Sequence, residues 1–146
     1  MYLKPFDKWN ERKKKIDSST SSQQYFYQRE IWWCALGVNI GVESSGKGEY
    51  FTRPVIILKA FNKDMLWVVP LTSKCGKPPF YLEMKFEGNI SWAMISHLKT
   101  VSSKRLVRKI GTMDTGQFKA MTQAVTYFIQ SETPPIKEGN LGARRR

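Results

Sequence analysis

A chain of 146 residues, 41% hydrophobic and 13% aromatic with five tryptophans, carries enough apolar material for one folded core, which excludes global disorder. Its 24 lysines and arginines against 12 aspartates and glutamates give a formal net charge of +12, which favours an anionic partner: nucleic acid, an anionic membrane or an acidic protein. No apolar run approaches the roughly 18–20 residues of a membrane span, the N-terminus lacks the features of a signal peptide, and Cys34 and Cys75 have no ligand spacing. The expectation is a cytoplasmic protein with reduced thiols, no metal and no cofactor.

Residues 5–17 read as a short amphipathic helix opened by Pro5, with Phe6, Trp9 and Ile16 on one side and Arg12 to Lys15 spread around the other. A polar linker runs from Ser18 to Ser22. Residues 1–28 are thus expected to form a basic appendage carrying about +4 of the charge. From residue 29 the character changes. The runs EIWWCALG, RPVIILKAF, MLWVVPLT, FYLEMKF and SWAMISHL are rich in β-branched and aromatic residues and separated by turn formers, so five short strands are expected. In FYLEMKF, Phe80, Leu82, Met84 and Phe86 should face inward and Glu83 and Lys85 outward. The apolar stretch Val55–Leu58 suggests a strand covered on both faces. Short strands with short turns favour a small closed barrel, whose closure removes exposed edges, and Leu106–Ile110 offers a sixth strand.

A final helix is capped by Asp114 or Thr115, and Phe118, Met121, Val125 and Phe128 form a stripe able to close one end of the barrel. Pro134 and Pro135 stop it, leaving 131–146 as a flexible basic tail after a barrel domain of 29–130. The barrel itself carries about +6, so the basic character belongs to the folded part as well as the ends.

A single histidine, His97, excludes a two-histidine ribonuclease mechanism, and no GxSxG, Walker-type loop or HExxH is present. What remains is a pair of strand ends, Thr52-Arg53-Pro54 and Pro70-Leu71-Thr72-Ser73. A hairpin turning at Phe61–Asp64 brings Arg53 and Thr72 to the same end of the sheet, and an arginine fork beside hydroxyls suits a phosphate. An exposed arginine at a strand start is the plainer reading of that motif alone.

The order of the pieces is more specific. Arg29-Glu30-Ile31-Trp32, Gly41-Val42-Glu43-Ser44-Ser45-Gly46, Arg53-Pro54-Val55-Ile56-Ile57 and Val69-Pro70-Leu71-Thr72-Ser73, followed by Ser96-His97-Leu98-Lys99-Thr100-Val101 and Arg105-Leu106, resemble the motifs of the MazF/PemK toxins over residues 29–130. The added N-terminal helix makes the likeness PemK-like. The resemblance implies an SH3-like small β-barrel with a C-terminal helix, mainly β with α. It implies a homodimer that cuts single-stranded RNA at short sequences without a metal ion and is neutralised by an acidic antitoxin.

By the same resemblance Arg53 and Thr72 are the catalytic pair, and the loop of Glu43 borders the RNA channel. The expected RNA contacts are Ser73, Lys74, Lys77, Ser96 and Lys99. Departures stand at Ser96 and His97, where the family has an acidic residue and glutamine, and at Lys99, where it has arginine. The histidine and Arg-x-Asp pattern of some relatives is also missing, since those positions are Val42, Met94 and Ser96. His97 has the pKa for a general base, and a contact with RNA or with the protein is the alternative reading. For the whole chain the alternative is a non-catalytic barrel that binds nucleic acid.

Overall fold

The computed structural model describes residues 2–20 and 24–132. Among these residues the chain forms α1 (Phe6–Ser18), β1 (Glu30–Ala35), β2 (Thr52–Ala60), β3 (Met65–Thr72), β4 (Tyr81–Phe86), β5 (Asn89–Met94), β6 (Lys99–Ser102), β7 (Leu106–Thr112) and α2 (Thr115–Gln130). Part of the Ser-rich linker (21–23) and nearly all of the expected tail (133–146) lie outside the described residues.

The sheet is antiparallel, in the order β4-β5-β3-β2-β1-β7, with β6 paired to the other half of β3. The β2–β3 hairpin turns as expected. Asn62 Oδ1 accepts the N–H groups of Asp64 (2.8 Å) and Met65 (2.9 Å), which closes a tight Asx-type turn. All four side chains of Val55–Leu58 are buried, because each face of β2 meets its own core. Ile56 and Leu58 pack with Ile31, Val69, Met113, Phe118, Met121 and Val125, so the α2 stripe covers that face. Val55 and Ile57 pack with Trp32, Cys34, Leu66, Val68, Val101 and Leu106 on the other. Burial pushes the Cys34 thiol up to about 12, which leaves it an inert apolar filler.

Four sequence expectations are corrected in detail. The run SWAMISHL is not one strand: β5 ends at Met94, a single 3-10 turn covers Ile95–His97, and β6 follows. The cause lies in β3, which pairs with β5 through Leu71 and Thr72 and with β6 through Met65–Val68, so the chain must turn a corner between the two. Ile95 is buried in that corner and its N–H donates to the Phe80 carbonyl (3.0 Å). Phe80 itself is half exposed rather than inward, stacked on Phe128 at 5.6 Å.

The barrel is not closed by hydrogen bonds either, since β4 and β7 are the two ends of the strand order. Side chains bridge the gap: the Phe86 ring lies directly on Gly111. Gln117 covers the β4 edge by bonding both backbone groups of Lys85, accepting from its N–H (2.6 Å) and donating to its carbonyl (2.8 Å). Lastly, Asp114 occupies the N-cap of α2, but its carboxylate accepts from the Gln117 side chain (2.6 Å) rather than from a helix N–H.

Helix α1 packs on the barrel through Trp9, which is buried with Ala35, Val38 and Phe51 and lies flat on Gly37. Arg105 sits over the same indole, 5.6 Å from the ring centre, and Lys104 Nζ donates to the Asp17 carbonyl (2.7 Å). Residues 1–28 therefore contribute a large aromatic to the core. At the start of β1 the buried Glu30 carboxylate is fully served: Lys109 Nζ lies at 2.6 Å, and the Tyr27 N–H (2.6 Å) and Trp32 Nε1–H (3.2 Å) donate to it. Burial alone would raise its pKa, but these donors win and hold it below the usual carboxylate value.

Candidate functional site

Antiparallel register places the two motifs together. The β2–β3 ladder ends at the Val55–Pro70 pair, and two residues past it Arg53 of β2 and Thr72 of β3 come to the same pocket. Both line an open pocket of about 450 Å³, with Trp33, Lys47, Thr52, Ser73 and Ser91.

The guanidinium of Arg53 is anchored from the protein side. Its Nε–H donates to the Ser45 carbonyl (2.8 Å) and Nη1 to the Leu71 carbonyl (3.1 Å). An arginine has five N–H donors in a rigid fork, and among the described residues the two on Nη2 have no protein acceptor. Burial lowers the Arg53 pKa from its ordinary value, with Tyr81 close enough to act in the opposite direction. A half-buried cation with free donors and, among the described residues, no carboxylate partner is suited to holding an anion. Thr72 is set up to donate to the same anion, because its Oγ1 accepts the Lys74 N–H (3.2 Å) and its own proton is then free to point outward.

The other flank of Arg53 is the β1–β2 loop. The chain folds back on itself there through Gly46 N–H to Gly37 carbonyl (2.8 Å) and a two-way bridge between Lys47 and Thr52 (2.8 and 3.0 Å). Gly46 is required at that point, since a Cβ would fall inside the Phe51 carbonyl. Asn39 braces the loop by donating to Leu36 and Ser44 carbonyls (3.1 and 2.6 Å), and Glu43 Oε1 accepts the Ile40 N–H (3.0 Å). Ser44 Oγ lies 2.7 Å from His97 Nδ1. Burial first, and the Arg53 charge second, lower the His97 pKa, so the imidazole is neutral at pH 7.

The expected site residues thus divide. Arg53, Thr72 and Ser73 share the pocket. His97 is absent from its lining and joins Arg53 from behind, through Ser44 and the loop. Glu43 is exposed on that loop. Lys99 is half-buried on β6, its pKa lowered by burial and by Arg105 while Cys34 and Glu43 act the other way. Lys74 and Lys77 are exposed on the segment leading from β3 to β4, and Ser96 is exposed in the 3-10 turn.

Sequence reasoning missed the pocket walls Trp33, Lys47 and Ser91 and the brace of Ser44 and Ser45. One signal was available: two adjacent tryptophans in a strand point to opposite faces, so the pair Trp32 and Trp33 marked one ring as a candidate for a surface pocket. Among the described residues no group of three or more His, Cys, Asp or Glu is placed to hold a metal ion, and no helix is long and apolar enough to cross a membrane.

Comparison with solved structures shows the same fold. MazF from Deinococcus radiodurans aligns with a TM-score of 0.61 at 14% identity, covering 74% of this chain and 100% of that one. A mycobacterial endoribonuclease in complex with its cognate antitoxin aligns at 0.56 and 12% identity, over 75% of this chain and 100% of that one. The Mycobacterium tuberculosis toxin MazF-mt6 aligns at 0.54 and 18%, over 72% and 100%. No curated protein matches the sequence at a significant level. The model of the family described as the PemK-like, MazF-like toxin of type II toxin-antitoxin systems matches residues 27–129, from just before β1 almost to the end of α2. The match covers well over half of the chain and includes Arg53, Thr72 and the loop between β1 and β2, and the chain belongs to that family.

Proposed function

We propose that the protein is an endoribonuclease toxin that cuts single-stranded RNA at short sequences, with no metal ion, and that an acidic antitoxin neutralises it. The single observation that carries this reading is the anchored Arg53 fork facing the same pocket as the Thr72 hydroxyl. A nucleic-acid-binding barrel needs positive charge, but it has no use for an arginine held on two carbonyls beside one oriented hydroxyl. Family membership and the solved relatives, among them an endoribonuclease bound to its cognate antitoxin, point the same way.

The chemistry follows from the site. The substrate's 2′-oxygen attacks the adjacent phosphorus and the bond to the 5′-oxygen breaks, leaving a 2′,3′-cyclic phosphate and a 5′-hydroxyl. Charge builds on the non-bridging oxygens in between. Donors fixed in advance at that place stabilise the transition state without reorganisation. The Nη2 edge of Arg53 and the Thr72 hydroxyl are those donors. Arg53 stays charged and stabilises the departing 5′-oxygen by hydrogen bond, while water in the open pocket takes the 2′ proton and supplies one to the 5′-oxygen. His97 is a positioning residue: neutral, and bonded to Ser44, it fixes the loop whose Ser45 carbonyl holds Arg53. Ser73, Lys74 and Lys77 extend the cationic and polar rim past Thr72, while Glu43, Ser96 and Lys99 border the loop side.

The active form is a homodimer, and messenger RNA as substrate places it in the cytoplasm. The catalytic unit is residues 29–130. The test is to incubate the purified protein with a long mixed-sequence RNA in EDTA and map the ends. Discrete cuts with 5′-hydroxyl ends support the reading, and intact RNA that remains bound contradicts it.

A further inference from the structure

A second groove, of about 340 Å³, opens beside the pocket and is lined by Arg12, Trp33, Tyr50, Thr52, Val107 and Arg108. Trp33 and Thr52 also line the Arg53–Thr72 pocket, so the two spaces adjoin across a shared wall. The register explains this. On β1, Trp33 pairs with Pro54 of β2 on one side and with Arg108 of β7 on the other, so its ring stands between the site and the groove. Tyr50, from the end of the β1–β2 loop, is more than half exposed. Arg12, from α1, lies over the Tyr50 ring with its guanidinium carbon 5.3 Å from the ring centre. The Arg12 Nε is buried and, among the described residues, has no hydrogen-bond partner.

Two aromatic rings and two arginines along one groove, next to the pocket of Arg53 and Thr72, fit the chemistry of single-stranded nucleic acid. Every base offers a face for stacking, and each phosphate offers oxygens for a guanidinium. We propose that this groove is a subsite for the nucleotides flanking the cut, with a base stacked against Trp33 and Tyr50 and the backbone phosphate bonded by Arg12 and Arg108. The subsite rests on the reading of the substrate as single-stranded RNA. It also gives α1 a role that the barrel lacks: Phe6–Ser18 lies wholly outside the matched family region, and its Arg12 would touch the substrate.

The test uses the full chain and a labelled, mixed-sequence 2′-O-methyl RNA of about 20 nucleotides, which cannot be cut by an internal nucleophile and spans more than one site. Tyr50→Leu should bind about tenfold more weakly, and Tyr50→Phe should bind like the parent because stacking needs only the ring. Arg12→Gln should lower the slope of log affinity against log salt by about 0.7, the value for one phosphate contact on a single strand. Photocrosslinking with 4-thiouridine in the same RNA, with the crosslinked residue assigned by fragmentation, should mark Tyr50. Parental affinity for Tyr50→Leu, equal loss for Tyr50→Phe, an unchanged salt slope for Arg12→Gln, or crosslinks confined to Arg53 and Thr72 themselves would each overturn the subsite. A parent that cuts RNA while Tyr50→Leu binds normally removes the subsite alone. A parent that binds through Tyr50 but never cuts removes the catalytic reading alone, and a parent that does not bind RNA removes both.

Discussion

Arg53 and Thr72 come together where β2 begins and β3 ends, each two residues past the last ladder pair Val55–Pro70, and both line one pocket. Because Thr72 Oγ1 already accepts the Lys74 N–H, its proton is the part left for a ligand. Thr72→Ser retains the hydroxyl and should keep most of the cleavage rate. Thr72→Ala removes the donor and should lose about 10²-fold, in the range for a missing transition-state hydrogen bond. Single-turnover cleavage of one RNA by both variants reads the difference, and equal rates would remove Thr72 from the chemistry.

In the proposed reaction the nucleophile is the substrate's own 2′-hydroxyl. A single 2′-deoxy substitution at a mapped cut site should make that site inert while neighbouring sites are still cut. Mass analysis of the fragments should show a cyclic phosphate, or its opened form, on the upstream piece. Normal cutting of the deoxy site would mean that water or a protein side chain attacks instead.

Trp9 ties α1 to the barrel, buried against Ala35, Val38 and Phe51 with Arg105 over its ring. Trp9→Ala should lower the unfolding free energy by about 3–5 kcal/mol, as for other buried aromatics. Urea denaturation followed by far-ultraviolet circular dichroism measures this. A loss below about 1 kcal/mol, the ordinary surface range, would show that the helix is not held by this ring.

His97 predicts a pH dependence with a definite sign. Its folded pKa is lowered by burial and by the Arg53 charge, so the native state binds a proton less readily than the unfolded chain. Its contribution is intact above the unfolded value of about 6.5 and is lost as pH falls from there through the folded pKa. Cleavage by the parent should therefore decline below that value as the loop under Arg53 loosens. His97→Gln, which can still bond Ser44, should cut at near the parental rate at pH 7.5 and decline less in acid. A large rate loss for His97→Gln at pH 7.5 would instead make the imidazole the general base.

Binding of an antitoxin should be governed by charge. With +12 on the chain, an acidic flexible segment gains steering and ion pairs that offset its ordering. Affinity measured by calorimetry should fall clearly between low and physiological salt, and sedimentation should show a dimer. Salt-independent association or a stable monomer at micromolar concentration would contradict these assignments.

Much of this was legible in the residues. The strands from Val55 and Met65, the α2 stripe and the meeting of Arg53 with Thr72 follow from local pattern and hairpin register, which depend on neighbours in sequence. What escaped depends on distant neighbours. The corner at Ile95–His97 exists because β3 is shared by β5 and β6, and it carries His97 out of the pocket that its sequence motif suggested. The missing ladder between β4 and β7 is replaced by Phe86 on Gly111, a contact between residues far apart in the chain. The burial of Trp9 likewise could not be read from an amphipathic pattern that fits an isolated surface helix equally well.

The most direct measurement of the central claim is single-turnover cleavage and RNA affinity for Arg53→Lys at one salt concentration. Lysine keeps the charge but cannot hold two carbonyls and still present a two-pronged edge to the phosphate. The rate should fall by about 10²–10³-fold, with affinity for uncut RNA nearly unchanged because many other cations remain. A barrel that only binds RNA would tolerate the exchange, and an Arg53→Lys protein that cleaves like the parent would contradict the catalytic role assigned to this arginine.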